Sequence, residues 1–169
     1  MQPSESEEGF IMEFIIRKAT EKDFDVIQAL NAALFAEDER NDDAIDTHWP
    51  MSVEGVEYYM KSLMDPRKLV LIAEDQSTGK PIGYLIASSE NKWRWRVVAT
   101  GELENMYVVS RTRRQGVGKA LVDRAKEWVK TRGIERFYVS AYAKNSSARA
   151  FYESVGFLLW ETGLEARIT

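Results

Sequence analysis

From Val97 to Leu121 the chain passes from an apolar strand pattern through a basic turn and two glycines into a helix. No other stretch narrows the fold as far as Glu102-Leu-Glu-Asn-Met-Tyr-Val-Val-Ser-Arg-Thr-Arg-Arg-Gln-Gly-Val-Gly-Lys-Ala-Leu121. The first turn of a helix leaves backbone N–H groups without intrahelical acceptors. Glycines at 116 and 118 let a ligand come close to that backbone, while Arg113, Arg114 and Lys119 add positive charge. The junction therefore suits a diphosphate. The helix dipole supplies only about 0.3–2 kcal/mol, so N–H bonds and cations must supply the rest.

Two familiar phosphate-binding patterns fail here. A P-loop needs a glycine five residues before Gly118 and a Ser or Thr after Lys119, but Arg113 and Ala120 stand there. A dinucleotide fingerprint needs a small residue where Leu121 stands and a repeated parallel framework around it.

The rest of the chain reads as alternating elements. Ile11 to Lys18 is a strand. Thr20 with Asp23 caps a helix carrying Phe24, Ile27, Leu30 and Leu34 at helical spacing. Glu37 to Asp46 reads as an exposed acidic loop. Ser52 caps a second helix with Val53, Val56, Tyr59, Met60 and Leu63 inward, and Asp65-Pro66 ends it. Leu69 to Ala73 and Ile82 to Ala87 are strands about the turn Gln76 to Lys80. Val97 to Val109 is a long strand, and Gly116 to Thr131 a helix that Gly133 stops. Phe137 to Tyr142 is a strand and Ser146 to Val155 a short helix stopped by Gly156. Phe157 to Trp160 and Leu164 to Ile168 form a closing hairpin.

With 169 residues, 44% apolar and 30% charged, the chain suits one globular domain. Residues 1–10 read as a disordered tail or an expression remnant, and 11–169 as a single domain. There are no cysteines and one histidine, His48. That leaves no thiolate nucleophile and little basis for a metal site, so no metal is expected. The net charge of -4 argues against nucleic-acid binding. An acidic N-terminus without an apolar core is no signal peptide, and no run is long enough to span a bilayer, so no membrane partner is expected and the location reads as cytoplasmic.

Arg113-x-x-Gly116-x-Gly118, opening a helix after a strand, resembles the signature of the GNAT N-acetyltransferase family. A second segment, Asn145-Ser-Ser-Ala-Arg-Ala-Phe-Tyr152-Glu-Ser-Val-Gly156-Phe157, is similar to that family's later motif and follows in the expected order. Ser110 departs from it, standing where the family often has Pro. The resemblance covers about residues 11 to 169. It implies an α/β (α+β) fold: a mixed, mostly antiparallel sheet of six to seven strands flanked by about four helices.

The resemblance also implies acetyl-CoA as cosubstrate. Arg113, Arg114, Gln115, Gly116, Val117, Gly118 and Lys119 would hold the pyrophosphate. Met106, Tyr107 and Val108 would run beside the pantetheine arm, and Asn145 would hydrogen-bond to it. Tyr152 would stand near the sulfur. Strand alternation sets Glu102 and Glu104 on the face of Met106 and Val108, and either could serve as base, with Glu104 favoured as nearer the thioester. The oxyanion would meet a strand N–H, that of Met106.

The acceptor implied is an amine, either a small cationic molecule or a polypeptide lysine or N-terminus. A non-catalytic acetyl-CoA-binding module is the alternative. The acidic stretch Glu37 to Asp46 is a solvated loop or a rim that attracts cations. Trp93 and Trp95 either pack on the sheet or wall the acceptor site. Read blandly, Tyr152 is core packing and His48 a loop hydrogen-bonder. The C-terminal strands offer an edge for a homodimer.

Overall fold

The structure, a computed structural model, describes residues 12–168. Expectations for residues 1–10, and for Ile11, lie outside the described residues. Five strands form one sheet in chain order: β1 (Phe14–Lys18), β2 (Lys68–Asp75), β3 (Pro81–Ser88), β4 (Thr100–Val108) and β5 (Arg136–Val139). Neighbours are antiparallel except β4 and β5, which run parallel. Helices α1 (Phe24–Asp38) and α2 (Val53–Met64) cover one face; α3 (Val117–Thr131) and α4 (Ser146–Ser154) cover the other. β2 and β3 are buried on both faces, which explains their nearly unbroken apolar runs.

Local chemistry sets the helix ends. The Thr20 N–H donates to Asp23 at 2.8 Å, while Arg17 grips the same carboxylate at 2.8 and 2.9 Å and Glu74 at 2.9 Å. Arg17 thus ties β1, the α1 entry and β2 together, and its hydrogen bonds hold the Asp23 carboxyl down to about 2. The Ser52 hydroxyl accepts from the Gly55 N–H at 3.1 Å and caps α2. The inward face of α2 differs from expectation. Gly55, Tyr59 and Ser62 are buried, whereas Val53 is 77% exposed and Met60 52%. The reason is a close approach at Gly55, where a Cβ would stand 2.2 Å from the Trp49 carbonyl oxygen. That contact fixes the rotation of α2.

Between sheet and helices lies a buried polar network. The Asn31 side-chain amide donates to the Tyr84 hydroxyl and, at 3.3 Å, to Asn105, while the Tyr59 hydroxyl donates back to Asn31. Asn31→Ala strands two buried phenols, so denaturant unfolding is expected to show a loss of about 2–4 kcal/mol. A loss below about 0.5 kcal/mol would show that the network contributes little to stability.

Several strand expectations need correction. Among the described residues β1 begins only at Phe14, and β5 ends at Val139, not Tyr142. β4 begins at Thr100, not Val97. The Lys92 N–H closes a loop onto the Thr100 carbonyl, and Val97 is fully exposed with no neighbouring strand. Among the described residues the closing hairpin is absent, and the sheet has five strands rather than six or seven. Residues 157–168 carry no strand; Leu158, Leu159, Leu164 and Ile168 face outward. A lone two-stranded hairpin is marginal in water. The segment is instead held by Trp160, which packs on Trp93 and Tyr138, and by an Arg167–Asp43 ion pair.

Candidate active site

β4 and β5 pair over only four positions, from Thr100↔Arg136 to Leu103↔Val139. Beyond these the two strands part. Where they separate, β4 carries a bulge against β3: Ile86 faces Asn105 while Ala87 faces Leu103, so Glu104 is the extra residue. The gap continues into a cleft of about 1100 Å³, lined by β4 from Leu103 to Val108, the segment Val139 to Tyr142, the α3 entry, α4 and the end of α1.

The bulge overturns the face assignment made from strand alternation. Met106 and Val108 pack toward α3 and α4. Glu104 and Asn105 both turn the other way, toward α2. Glu104 accepts from the Tyr58 hydroxyl at 2.6 Å and from the Lys68 ammonium at 2.7 Å, and Asn105 donates to Tyr58 at 2.8 Å. Burial, then the Glu104 charge, pushes the Tyr58 phenol far above its ordinary range. Glu102 does not line the cleft and pairs with Lys92 instead. Of the two candidate bases, the favoured Glu104 lines the cleft but is already ion-paired, and Glu102 lies outside it.

At the α3 entry, Arg114 has φ 66° and Gly116 φ 86°. A Cβ at Gly116 would meet nothing within 4 Å, so this turn faces open space. Among the described residues the first amide of α3 bonded back into the helix is Ala120, donating to Gly116, which leaves the N–H groups of Val117, Gly118 and Lys119 without intrahelical acceptors. Gly118 has a different neighbour: a Cβ there would stand 3.1 Å from the Phe151 ring, so this glycine also lets α4 pack against α3. The Val117 side chain is core, and Gln115 does not line the cleft.

The cations sit otherwise than expected. The Arg113 guanidinium donates to both Glu37 oxygens, at 2.8 and 2.9 Å, and to the Val108 carbonyl at 2.8 Å. It lies against the Tyr107 ring, and its charge is matched within the fold. Burial alone would raise the Glu37 carboxyl, but Arg113 and the Tyr107 hydroxyl outweigh it and hold the group low. Lys119 pairs with Asp123 one turn on. Arg114 lines the cleft mouth.

On α4, Asn145 accepts from the Ala148 N–H at 3.0 Å and caps the helix, so its side-chain oxygen is engaged while the residue still lines the cleft. Tyr152 lies one face further along, against Phe151 and Phe157, and its phenol is pushed up by burial and then by the charge of Asp38.

The acidic pattern predicts an exposed loop at Asp38. Asp38 is instead the last residue of α1, half-buried and lining the cleft, as does Glu37. Sequence reasoning missed it because a polar run looks alike at a helix end and in a loop. The only available signal was that Leu30 and Leu34 extend their periodicity to position 38. Trp93 packs edge-on against Tyr138, and Trp95 is 73% exposed; neither lines the cleft. No described helix is long and apolar enough to cross a membrane.

Comparison with known proteins bears on the family and the fold. A mycothiol acetyltransferase of Beutenbergia cavernae is 35% identical over 96 residues, covering 55% of this chain and 29% of the relative. An aminoglycoside N(6')-acetyltransferase type 1 of Klebsiella aerogenes is 42% identical over 55 residues, covering 32% and 36%. The matched stretch thus spans about a third of these relatives' length. The structure of the aminoglycoside acetyltransferase AAC(6')-Iy, in complex with a bisubstrate analogue, CoA-S-monomethyl-acetylneamine, superposes with a TM-score of 0.74 at 18% identity, covering 93% of this chain and 99% of that one. The profile of the Acetyltransferase (GNAT) family matches residues 25–157, from the first turn of α1 to the end of the α4 motif. With the parted strands, the glycine-bearing helix entry and the tyrosine of α4 all inside that match, the chain belongs to the GNAT acetyltransferase family.

Proposed function

We propose that the chain is an acetyl-CoA-dependent N-acetyltransferase whose acceptor is a primary amine, a small cationic one, attacking directly in a ternary complex. The observation that carries this is the parting of β4 and β5 beside an open helix entry, with Tyr152 in the same cleft. The residues fit the cosubstrate. The α3 amides and the open turn at Gly116 suit a diphosphate, and the unpaired edge of β4 from Glu104 to Val108 suits an extended amide-bearing arm. The Arg113 side chain shapes this entry rather than facing it, so backbone amides with Arg114 and Lys119 are the anion donors. The cosubstrate supplies the acetyl group as a thioester.

An alkyl ammonium has a pKa near 10.4, so presenting the neutral amine at pH 7 costs about 4.6 kcal/mol. A carboxylate in the cleft helps in two separate ways: it binds the cation, and as a base it accepts the proton the amine must lose before attack. A free phenol is already a weaker acid than a thiol, and burial weakens Tyr152 further. Tyr152 therefore acts as a hydrogen-bond donor to charge developing on sulfur, not as the source of a fully transferred proton. The N–H of Met106 meets the carbonyl oxygen.

Supporting a small amine are the aminoglycoside acetyltransferases among the similar proteins and the Asp38 carboxylate in the cleft, which has no ion-paired cation among the described residues. The reading includes a cytoplasmic setting and a homodimer through the exposed apolar C-terminal segment.

The test is a thiol-release screen with acetyl-CoA against diamines, polyamines, amino sugars and lysine peptides at rising salt. Coenzyme A release with cationic small amines, with KM rising as salt increases, is expected. Acetyl-CoA binding without turnover on any amine would favour a binding module.

A further inference from the structure

Three carboxylates line the cleft: Glu37, Asp38 and Glu104. Two already have cations. Glu37 holds Arg113, and Glu104 holds Lys68. Asp38 differs. Its side-chain partner among the described residues is the Asn41 amide, at 3.0 Å, and no lysine or arginine forms an ion pair with it. A half-buried carboxylate without a cation is a costly arrangement unless a ligand completes it.

The charged and titratable groups electrostatically coupled to Asp38 come from several walls. Glu37 lies beside it on α1, Arg40 and Asp42 on the following turn, Tyr84 on β3, Tyr142 after β5 and Tyr152 on α4. Asp42 is committed to Tyr142, whose hydroxyl donates to it at 3.1 Å. Arg40 reaches Glu37 at 4.0 Å and acts on Asp38 only at longer range.

We propose that Asp38 binds the acceptor's ammonium in the cleft and takes one of its protons, making it a catalytic residue of the reaction proposed above, on which this assignment rests. The ammonium nitrogen gives one proton to an Asp38 carboxylate oxygen. The freed lone pair forms the N–C bond as the thioester C–S bond breaks. The second nitrogen proton goes to the departing sulfur, which leaves as coenzyme A thiol, and Asp38 returns its proton to water. Burial holds the Asp38 carboxyl above the ordinary aspartate range, which makes it a stronger base than a solvated aspartate. Glu104 would first have to release Lys68.

The test compares the native chain with D38N and D38E, using neamine and 1,4-diaminobutane as acceptors. Three readouts are needed: kcat/KM against pH, calorimetric binding of each amine to the coenzyme A complex, and acetyl-CoA affinity. Native kcat/KM should fall as pH drops through an acid limb lying above the usual aspartate range. D38N should lose about 10²-fold or more in kcat/KM, lose that limb, and bind amine more weakly, with acetyl-CoA affinity unchanged. D38E should keep amine binding and lose about tenfold or more in turnover through misplacement, and it decides the matter if D38N does not fold. Native turnover with both variants unchanged, limb included, would overturn the Asp38 assignment alone. A native chain that binds and acetylates neither amine nor any in the wider screen would overturn both readings.

Discussion

Tyr152→Phe is expected to lower kcat by about 10²-fold or more while acetyl-CoA affinity stays within about twofold. The substitution removes one oxygen and keeps the ring against Phe151 and Phe157. Packing therefore persists, and the melting temperature should hardly move. Only the hydroxyl proposed as donor to the departing sulfur is lost. Because burial and Asp38 keep the phenol protonated well beyond neutral pH, the native rate should show no alkaline limb from Tyr152 below about pH 10. The check is steady-state turnover with calorimetry on the same preparation. A mutant that turns over as fast as its parent would remove Tyr152 from the chemistry and restore the bland reading, in which it is core.

Gly118→Trp is expected to weaken acetyl-CoA by about 10²-fold or more, because losing two N–H bonds to a charged group costs about 3–6 kcal/mol. Any side chain at 118 meets the Phe151 ring at 3.1 Å. An indole must therefore push α4 aside or enter the mouth of the cleft. Overpacking of this kind costs about 1–3 kcal/mol of stability, so circular dichroism must first show a folded chain. Gly116→Ala separates the two causes. Its Cβ meets nothing within 4 Å, but φ 86° is strained for any L side chain, so it perturbs the cradle by conformation alone. Smaller losses than for G118W are expected in calorimetry. A folded G118W that binds acetyl-CoA as tightly as its parent would show that the α3 entry is not the diphosphate site.

Much of this was readable from local pattern. Periodicity at Phe24, Ile27, Leu30 and Leu34 marked α1, and the Thr20–Asp23 cap marked its start. The glycine spacing at 116 and 118 marked the open helix entry. These signals are short-range: each depends on residues within a turn or two of one another. Apart from the C-terminal end of α1, where a polar run is locally ambiguous, the failures were at longer range. The inward face of α2 was set by Gly55 meeting the Trp49 backbone. The C-terminal segment, apolar enough to look like strands, packs through Trp160 on side chains from two other parts of the chain.

The sequence by itself determined that this chain is a mixed α/β domain with an amide-lined helix entry following a strand, because caps, glycines and hydrophobic periods act locally. Only the tertiary structure decided which charges are free. One extra residue in β4 turned Glu104 onto Lys68, Arg113 turned inward to Glu37, and Asp38 was left in the cleft without a cation. Charge compensation is a property of distance in space, and neighbours 36 or 76 positions apart along the chain leave no mark on local pattern.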